Sequence, residues 1–256
     1  MKKILSLVLA ALMVAAMLCA CTTNTETKPN GTQAPTTQAP TTQKPTEKPT
    51  EKPTEPAPQG PTVVTLADYF ANKDLWEDDG GYFDMTDDQI FFDNFSAGDY
   101  AAVRMTEAHQ DVTYKFNVTI NKLAPVSMED WTWWDSEFCV IARSTLAASS
   151  WQDDGSQKGY TLTWWGDMSE VAIGRCGMDD AFGTFKANIG DGNAHDIEFT
   201  VVNNADGTVS LKLVIDGTVI ADVVDDGTKS KNDRPTLYPD AGGLTIRAKW
   251  LEAVVK

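Results

Sequence analysis

Asp196 and Glu198 stand two residues apart in Ala194-His195-Asp196-Ile197-Glu198-Phe199, and on a strand that spacing puts both carboxylates on one face. Cleaving a glycosidic bond with retention calls for two carboxylates about 5–5.5 Å apart. Alternation alone gives the same spacing to any half-solvated strand, with Ile197 and Phe199 turned inward, and that plainer reading takes precedence. Trp131-Thr132-Trp133-Trp134-Asp135 is a second stretch with binding chemistry. If it is extended, Trp131 and Trp133 share a face, where indoles stack on sugar rings while neighbouring polar groups bond the hydroxyls. Core anchoring accounts for such tryptophans equally well.

A third candidate comes from register. A hairpin turning at Gly166 to Ser169 sets Trp165 opposite Glu170, Thr163 opposite Ala172, and Thr161 opposite Gly174. Leu162, Val171 and Ile173 then face the core, with Tyr160 and Trp164 at the ends of that face. Thr161, Thr163, Trp165 and Glu170 make a polar platform, joined by Arg143 from the adjoining strand, and this face is the expected ligand site. The register also separates Cys139 from Cys176 by a strand and several residues, so two separate thiols are expected. Neither has a nearby His, and His109 and His195 are the only histidines. Zinc ligation and Cys–His catalysis are therefore poorly supplied.

The elements that must carry these residues read as strands. His195–Val202, Thr208–Ile215 and Thr218–Val224 are rich in β-branched residues and are divided by Asn203-Asn204-Ala205-Asp206-Gly207 and Asp216-Gly217. Asp-Gly is a type I′ hairpin signal, because both central residues need positive φ. A meander with Ile197, Phe199, Val201, Leu211 and Leu213 on one side cannot stand alone in water and must lie against a second sheet. Asp111–Ile120 alternates in the same way, and only Leu66–Ala71 reads as a helical fragment. A dozen short strands without a long helical period predict an all-β, two-sheet antiparallel sandwich over residues 63–256.

Phe138–Arg143, Gly159–Leu162, His195–Phe199, Leu213–Gly217 and Gly242–Ile246 resemble, in order and texture, the concanavalin A-like jelly roll. The pattern is similar to laminin G-like domains and to relatives of keto-disaccharide hydrolases. In jelly-roll glucanases the motif is Glu-x-Asp-x-Glu; here Asp196 and Glu198 match, but Ala194 occupies the nucleophile position. The resemblance thus implies the fold, and no catalytic residue is assigned. It also brings structural calcium into consideration at the acidic pairs Asp78-Asp79, Asp153-Asp154, Asp179-Asp180 and Asp225-Asp226. No stretch has EF-hand spacing, and no cofactor is required.

Before the domain, Met1-Lys2-Lys3 and the apolar run Ile4–Ala20 read as a secretory signal. Leu18-Cys19-Ala20-Cys21 resembles a bacterial lipobox, which implies lipidation at Cys21. Residues 21–62 repeat Thr, Pro, Gln, Glu and Lys with almost nothing apolar to bury, so they are expected to be a disordered stalk. About 40 residues at ~3.1 Å each reach roughly 120 Å, enough to cross a thick wall. Of 21 basic and 37 acidic residues, six lysines and four glutamates precede Val63, which leaves the domain at −18. Such a field disfavours nucleic acid and anionic polymers and tolerates neutral ligands. The expectation is a lipid-anchored module on the extracellular face of the bacterial membrane that binds a glycan without catalysis. A glycoside-processing enzyme with an unrecognised carboxylate pair and a wall adhesion or structural module are the alternatives.

Overall fold

A computed structural model describes residues 60–78, 82–94, 100–123, 136–146, 157–166, 169–176, 181–228 and 240–256. The chain separates into two units, Met1–Glu55 and Pro56–Lys256. The signal, Cys21 and the stalk up to residue 59 lie outside the described residues. Among the described residues, no helix is long and apolar enough to cross a membrane.

The strands, in chain order, are β1 (Thr62–Thr65), β2 (Trp76–Asp78), β3 (Phe83–Met85), β4 (Ile90–Asp93) and β5 (Ala101–His109). Then come β6 (Val112–Leu123), β7 (Glu137–Ser144), β8 (Tyr160–Trp165), β9 (Glu170–Arg175) and β10 (Gly183–Lys186). β11 (Ala194–Asn203), β12 (Val209–Ile215), β13 (Thr218–Asp225), β14 (Gly242–Lys249) and β15 (Leu251–Val255) complete them. One sheet has the order β13-β12-β11-β6-β15-β4-β3, with β1 added in parallel to β6; the other runs β10-β9-β8-β7-β14-β5-β2. We call them the meander sheet and the hairpin sheet. The expected helical fragment shrinks to a 3-10 turn at Leu66–Asp68, whose Leu66 is buried along with the nearby Phe70.

Alternation puts Val112, Tyr114, Phe116, Val118 and Ile120 of β6 and Ile197, Phe199 and Val201 of β11 into one core. Leu162, Trp164, Val171 and Ile173 meet them from the hairpin sheet. Each such side chain contributes about 1.5–3 kcal/mol by leaving water, and this burial holds the sheets face to face. The Asp216-Gly217 turn has positive φ at both residues, 50° and 74°, as a type I′ turn demands. Gly190 lies flat against Trp164, where an added Cβ would meet the ring at 2.3 Å. At Trp250, with φ of 57°, the chain passes from β14 in one sheet directly into β15 in the other.

Two buried clamps close one end of the sandwich. Arg175 donates from Nε to Asp225 Oδ2 at 2.7 Å and from Nη2 to Oδ1, tying β9 to β13 across the sheets. The Tyr160 hydroxyl donates to the same Asp225 Oδ2 at 3.0 Å. Beside it, Arg143 donates to the Gln110 carbonyl and to Asn203 Oδ1, both at 2.8 Å.

Candidate functional site

On the outer face of the hairpin sheet, register lines up three cross-strand rows. The first reads Lys186, Glu170, Trp165, Glu137, Lys249 across β10, β9, β8, β7 and β14. The second reads Thr184, Ala172, Thr163, Cys139, Arg247, and the third Gly174, Thr161, Ile141, Thr245. The hairpin pairs Trp165 with Glu170, Thr163 with Ala172 and Thr161 with Gly174, the register expected from its turn.

The outer face is not open along its length. Thr161 and Thr163 are only 5% and 4% exposed, so the expected solvated platform is corrected at both positions. Thr163 donates to Cys139 Sγ at 3.5 Å, and a polar net joins Thr245 of the third row to the ends of the segment between β7 and β8. Thr245 donates to Ser144 Oγ at 2.7 Å, and Ser144 donates to the Leu146 carbonyl at 3.0 Å. Gln157 reaches the same carbonyl at 3.2 Å, and the Cys176 thiol donates to Gln157 Oε1 at 3.5 Å. Cys139, Ile141 and Cys176 form a small apolar cluster apart from the main core. Cys139 and Cys176 are both buried and are two separate thiols, not a disulfide.

Arg143 does not join this face, and that expectation is corrected too. The ladder shifts between Gly243 and Leu244, opposite Arg143, which takes φ of 54°. Its side chain leaves for Gln110 and Asn203 and is 1% exposed. Gly242 makes the turnover feasible, because a Cβ there would lie 2.5 Å from the Arg143 carbonyl group.

The first row remains partly accessible: Glu170, Trp165 and Lys249 are half-buried and Lys186 is exposed. Between Trp165 and Lys249 is Glu137, 8% exposed, which the sequence pattern does not single out. The Tyr100 hydroxyl donates to Glu137 Oε2 at 2.6 Å. Arg247 and Lys249 both lie over the Tyr100 ring, 4.5 Å and 5.1 Å from its centroid. Burial pushes the Glu137 pKa up, and the hydrogen bond from Tyr100, the charges of Arg247 and Lys249 and a weak bond from Trp165 only partly offset it. Glu137 Oε1 has no partner of proper hydrogen-bond geometry. Burial also raises the Tyr100 pKa, so that hydroxyl stays a donor. The arrangement offers one half-exposed indole, charged groups on both sides, and a sequestered carboxyl beneath, all carried on paired strands.

The other candidates fall elsewhere. Trp131, Trp133, Asp79, Asp153, Asp154, Asp179 and Asp180 lie outside the described residues. Asp225 is spent on Arg175, and Asp226 accepts from the Thr228 amide at 2.9 Å in a turn. Among the described residues, no group of three or more His, Cys, Asp or Glu is placed to hold a metal ion. Asp196 accepts from Asn117 at 3.0 Å, and Glu198 pairs with Lys115 at 2.8 Å, on the outer face of the meander sheet. They are scaffold residues of an alternating strand.

No protein-family model matches the chain, and no curated protein matches it. Among solved structures, a carbohydrate-binding module, CBM66, from Bacillus subtilis is 13% identical over 71% of this chain and 92% of its own, with a TM-score of 0.46. The carbohydrate recognition domain of Emp47p is 13% identical over 71% of this chain and 85% of its own, at 0.40. The alginate lyase Aly36B, solved with an alginate tetrasaccharide, is 11% identical over 74% of this chain and 85% of its own, at 0.44. At such values no residue role or activity transfers. What the chain's own sheets establish is the architecture: an all-β, two-sheet antiparallel sandwich of the jelly-roll kind.

Proposed function

We propose that this domain binds carbohydrate along the Lys186–Glu170–Trp165–Glu137–Lys249 row. The observation that carries the reading is Trp165, half-buried on a rigid strand with Glu170 and Glu137 directly opposite it on either side. A ring held in that way offers an apolar face for a sugar, while flanking carboxylates and ammonium groups bond its hydroxyls. The domain's charge of −18 favours a neutral saccharide. Glycan-array binding by the full chain tests the reading. Trp165→Ala should weaken capture of a bound glycan at least tenfold, and unchanged affinity would overturn the assignment.

The lipid on Cys21 and the Thr/Pro stalk belong to the same proposal: the domain is displayed outside the cell at the end of a tether. Radiolabelled palmitate should enter the wild-type protein and not Cys21→Ala, which should appear in the culture medium. Label incorporated in the variant would remove the anchor from this reading.

A further inference from the structure

We propose that Glu137 and Glu170 form an acid–base pair that hydrolyses the glycosidic bond of a sugar lying over Trp165, with inversion at the anomeric carbon. The inference rests on the carbohydrate reading of the same row and adds chemistry to it.

Three features of the row support the pair. Glu137, Trp165 and Glu170 are directly opposite one another on three neighbouring strands, so both carboxyls belong to one face with the indole between their backbones. Two strand spacings of ~4.8 Å separate those backbones by roughly 10 Å. Carboxyls carried on backbones that far apart have room between them for the attacking water that an inverting pair admits. The two groups also differ in setting, which acid–base catalysis needs. Glu137 is more than nine-tenths buried; Tyr100 holds its Oε2, and Oε1 has no partner of proper geometry. Burial raises its pKa, which suits a carboxylic acid that keeps its proton. Glu170 is half-buried, accompanied by Lys186 at 2.6 Å, and within reach of water.

The step balances with water as the sole co-reactant. Glu137 gives its proton to the glycosidic oxygen as the bond from that oxygen to the anomeric carbon breaks. Glu170 takes a proton from the water whose oxygen forms the new bond on the opposite side of the ring. The products are a hemiacetal sugar and a free alcohol, and solvent returns the proton from Glu170 to Glu137. Asp196 and Glu198 take no part, being held by Asn117 and Lys115 on the other sheet.

The test uses the full-length protein with xylan, mannan, β-glucan and α-glucan, scoring binding and release of reducing ends on the same samples. Any polysaccharide bound in a Trp165-dependent way should also be cleaved, with the inverted anomer appearing first by NMR. Glu137→Gln keeps an acceptor for Tyr100 and should lower release at least a hundredfold while binding changes less than threefold. Glu170→Gln, on the accessible side, provides a second test should Glu137→Gln fail to fold, with the same split between release and binding. The wild-type rate should fall on the alkaline side as Glu137 ionises, and Glu198→Gln should leave rate and profile unchanged. Trp165-dependent binding without release, or release that survives either glutamine substitution, overturns the catalytic inference and leaves the binding reading standing. Absence of Trp165-dependent binding to all four polysaccharides counts against both.

Discussion

The outer faces of the two sheets hold their polar side chains in opposite ways. Between β6 and β11 of the meander sheet, three polar pairs meet directly across the ladder: Thr113 with Thr200 at 2.9 Å, Lys115 with Glu198 at 2.8 Å, Asn117 with Asp196 at 3.0 Å. The Lys115 and Glu198 side chains are about two-fifths exposed. On the hairpin sheet, Thr161, Thr163 and Arg247 are buried, and Glu137 is sequestered with one oxygen lacking a well-placed partner. An open face costs its charges little desolvation, so simple cross-strand pairs suffice to fix register there. A covered face makes each polar group costly unless it is satisfied, and a carboxyl kept there against that cost points to a use beyond solubility. Position two apart on a strand is therefore a weak mark of chemistry; burial is the stronger one.

The largest expected effect tests burial itself. Asp225→Ala removes the acceptor of both Arg175 and Tyr160 from the closed end of the sandwich. Stranding a buried partner of an ion pair costs about 3–5 kcal/mol, so urea unfolding should show a midpoint far below wild type. A loss under ~1 kcal/mol would mean that this end is wetter than its burial implies.

Next comes the direct contrast between the two glutamates. Glu137→Ala withdraws the acceptor from Tyr100 and should cost about 1–3 kcal/mol. Glu198→Ala breaks an exposed pair and should cost below ~1 kcal/mol. Equal losses would erase the distinction between the faces. The pH dependence sharpens it further. Burial raises the folded pKa of Glu137 above the ~4.3 of a free glutamate, so the native state keeps the proton longer than the unfolded chain does. Its contribution is complete below pH ~4.3 and is lost as pH rises through the folded pKa. Glu137→Gln should remove that decline from a series of urea melts, whereas Glu198→Gln should keep it.

How much of this was legible in the sequence follows from the range of the interactions. The β8–β9 pairing could be read because the turn lies within the segment itself and fixes the register of its flanking strands. The meander could be read for the same reason, with Asp216-Gly217 as its local signal. The burial of Thr161 could not, since alternation assigns a residue to the outer face without saying what packs over that face. Alternation predicts an outward Arg143, but a local shift of the ladder against Gly242 and Gly243 turns it the other way. Glu137 gave no periodic signal: its strand is buried on both faces, and its partner Tyr100 is 37 positions away. Local patterning thus reached the frame of the site, while its buried carboxyl depends on contacts that only the closed sandwich brings together.

The smallest effect lies at the end of β11, on the meander sheet. His195 bridges two turns there, with Nδ1 2.8 Å from Asp216 Oδ2 and Nε2 3.0 Å from Asp191 Oδ1. Partial burial opposes the imidazolium, but hydrogen bonds and charge from Asp216 and Asp191 outweigh it, so the His195 pKa is raised. A backbone hydrogen bond from Asn193, with help from His195, holds Asp191 down at about 2. The signs are opposite. The histidine's contribution is full below pH ~6.5 and lost as pH rises through its folded value; that of Asp191 is present above ~3.9 and lost as pH falls towards about 2. The bridge should therefore be strongest between pH ~4 and ~6.5, and the exposure of its two carboxylates should keep its effect on the melting temperature small. NMR titration of the His195 ring should give a pKa above ~6.5 in the wild type, falling towards that value in Asp216→Asn. A wild-type value at or below ~6.5 would show that the carboxylates beside this ring do not outweigh its burial, leaving the two turns at this end of β11 without a charged bridge.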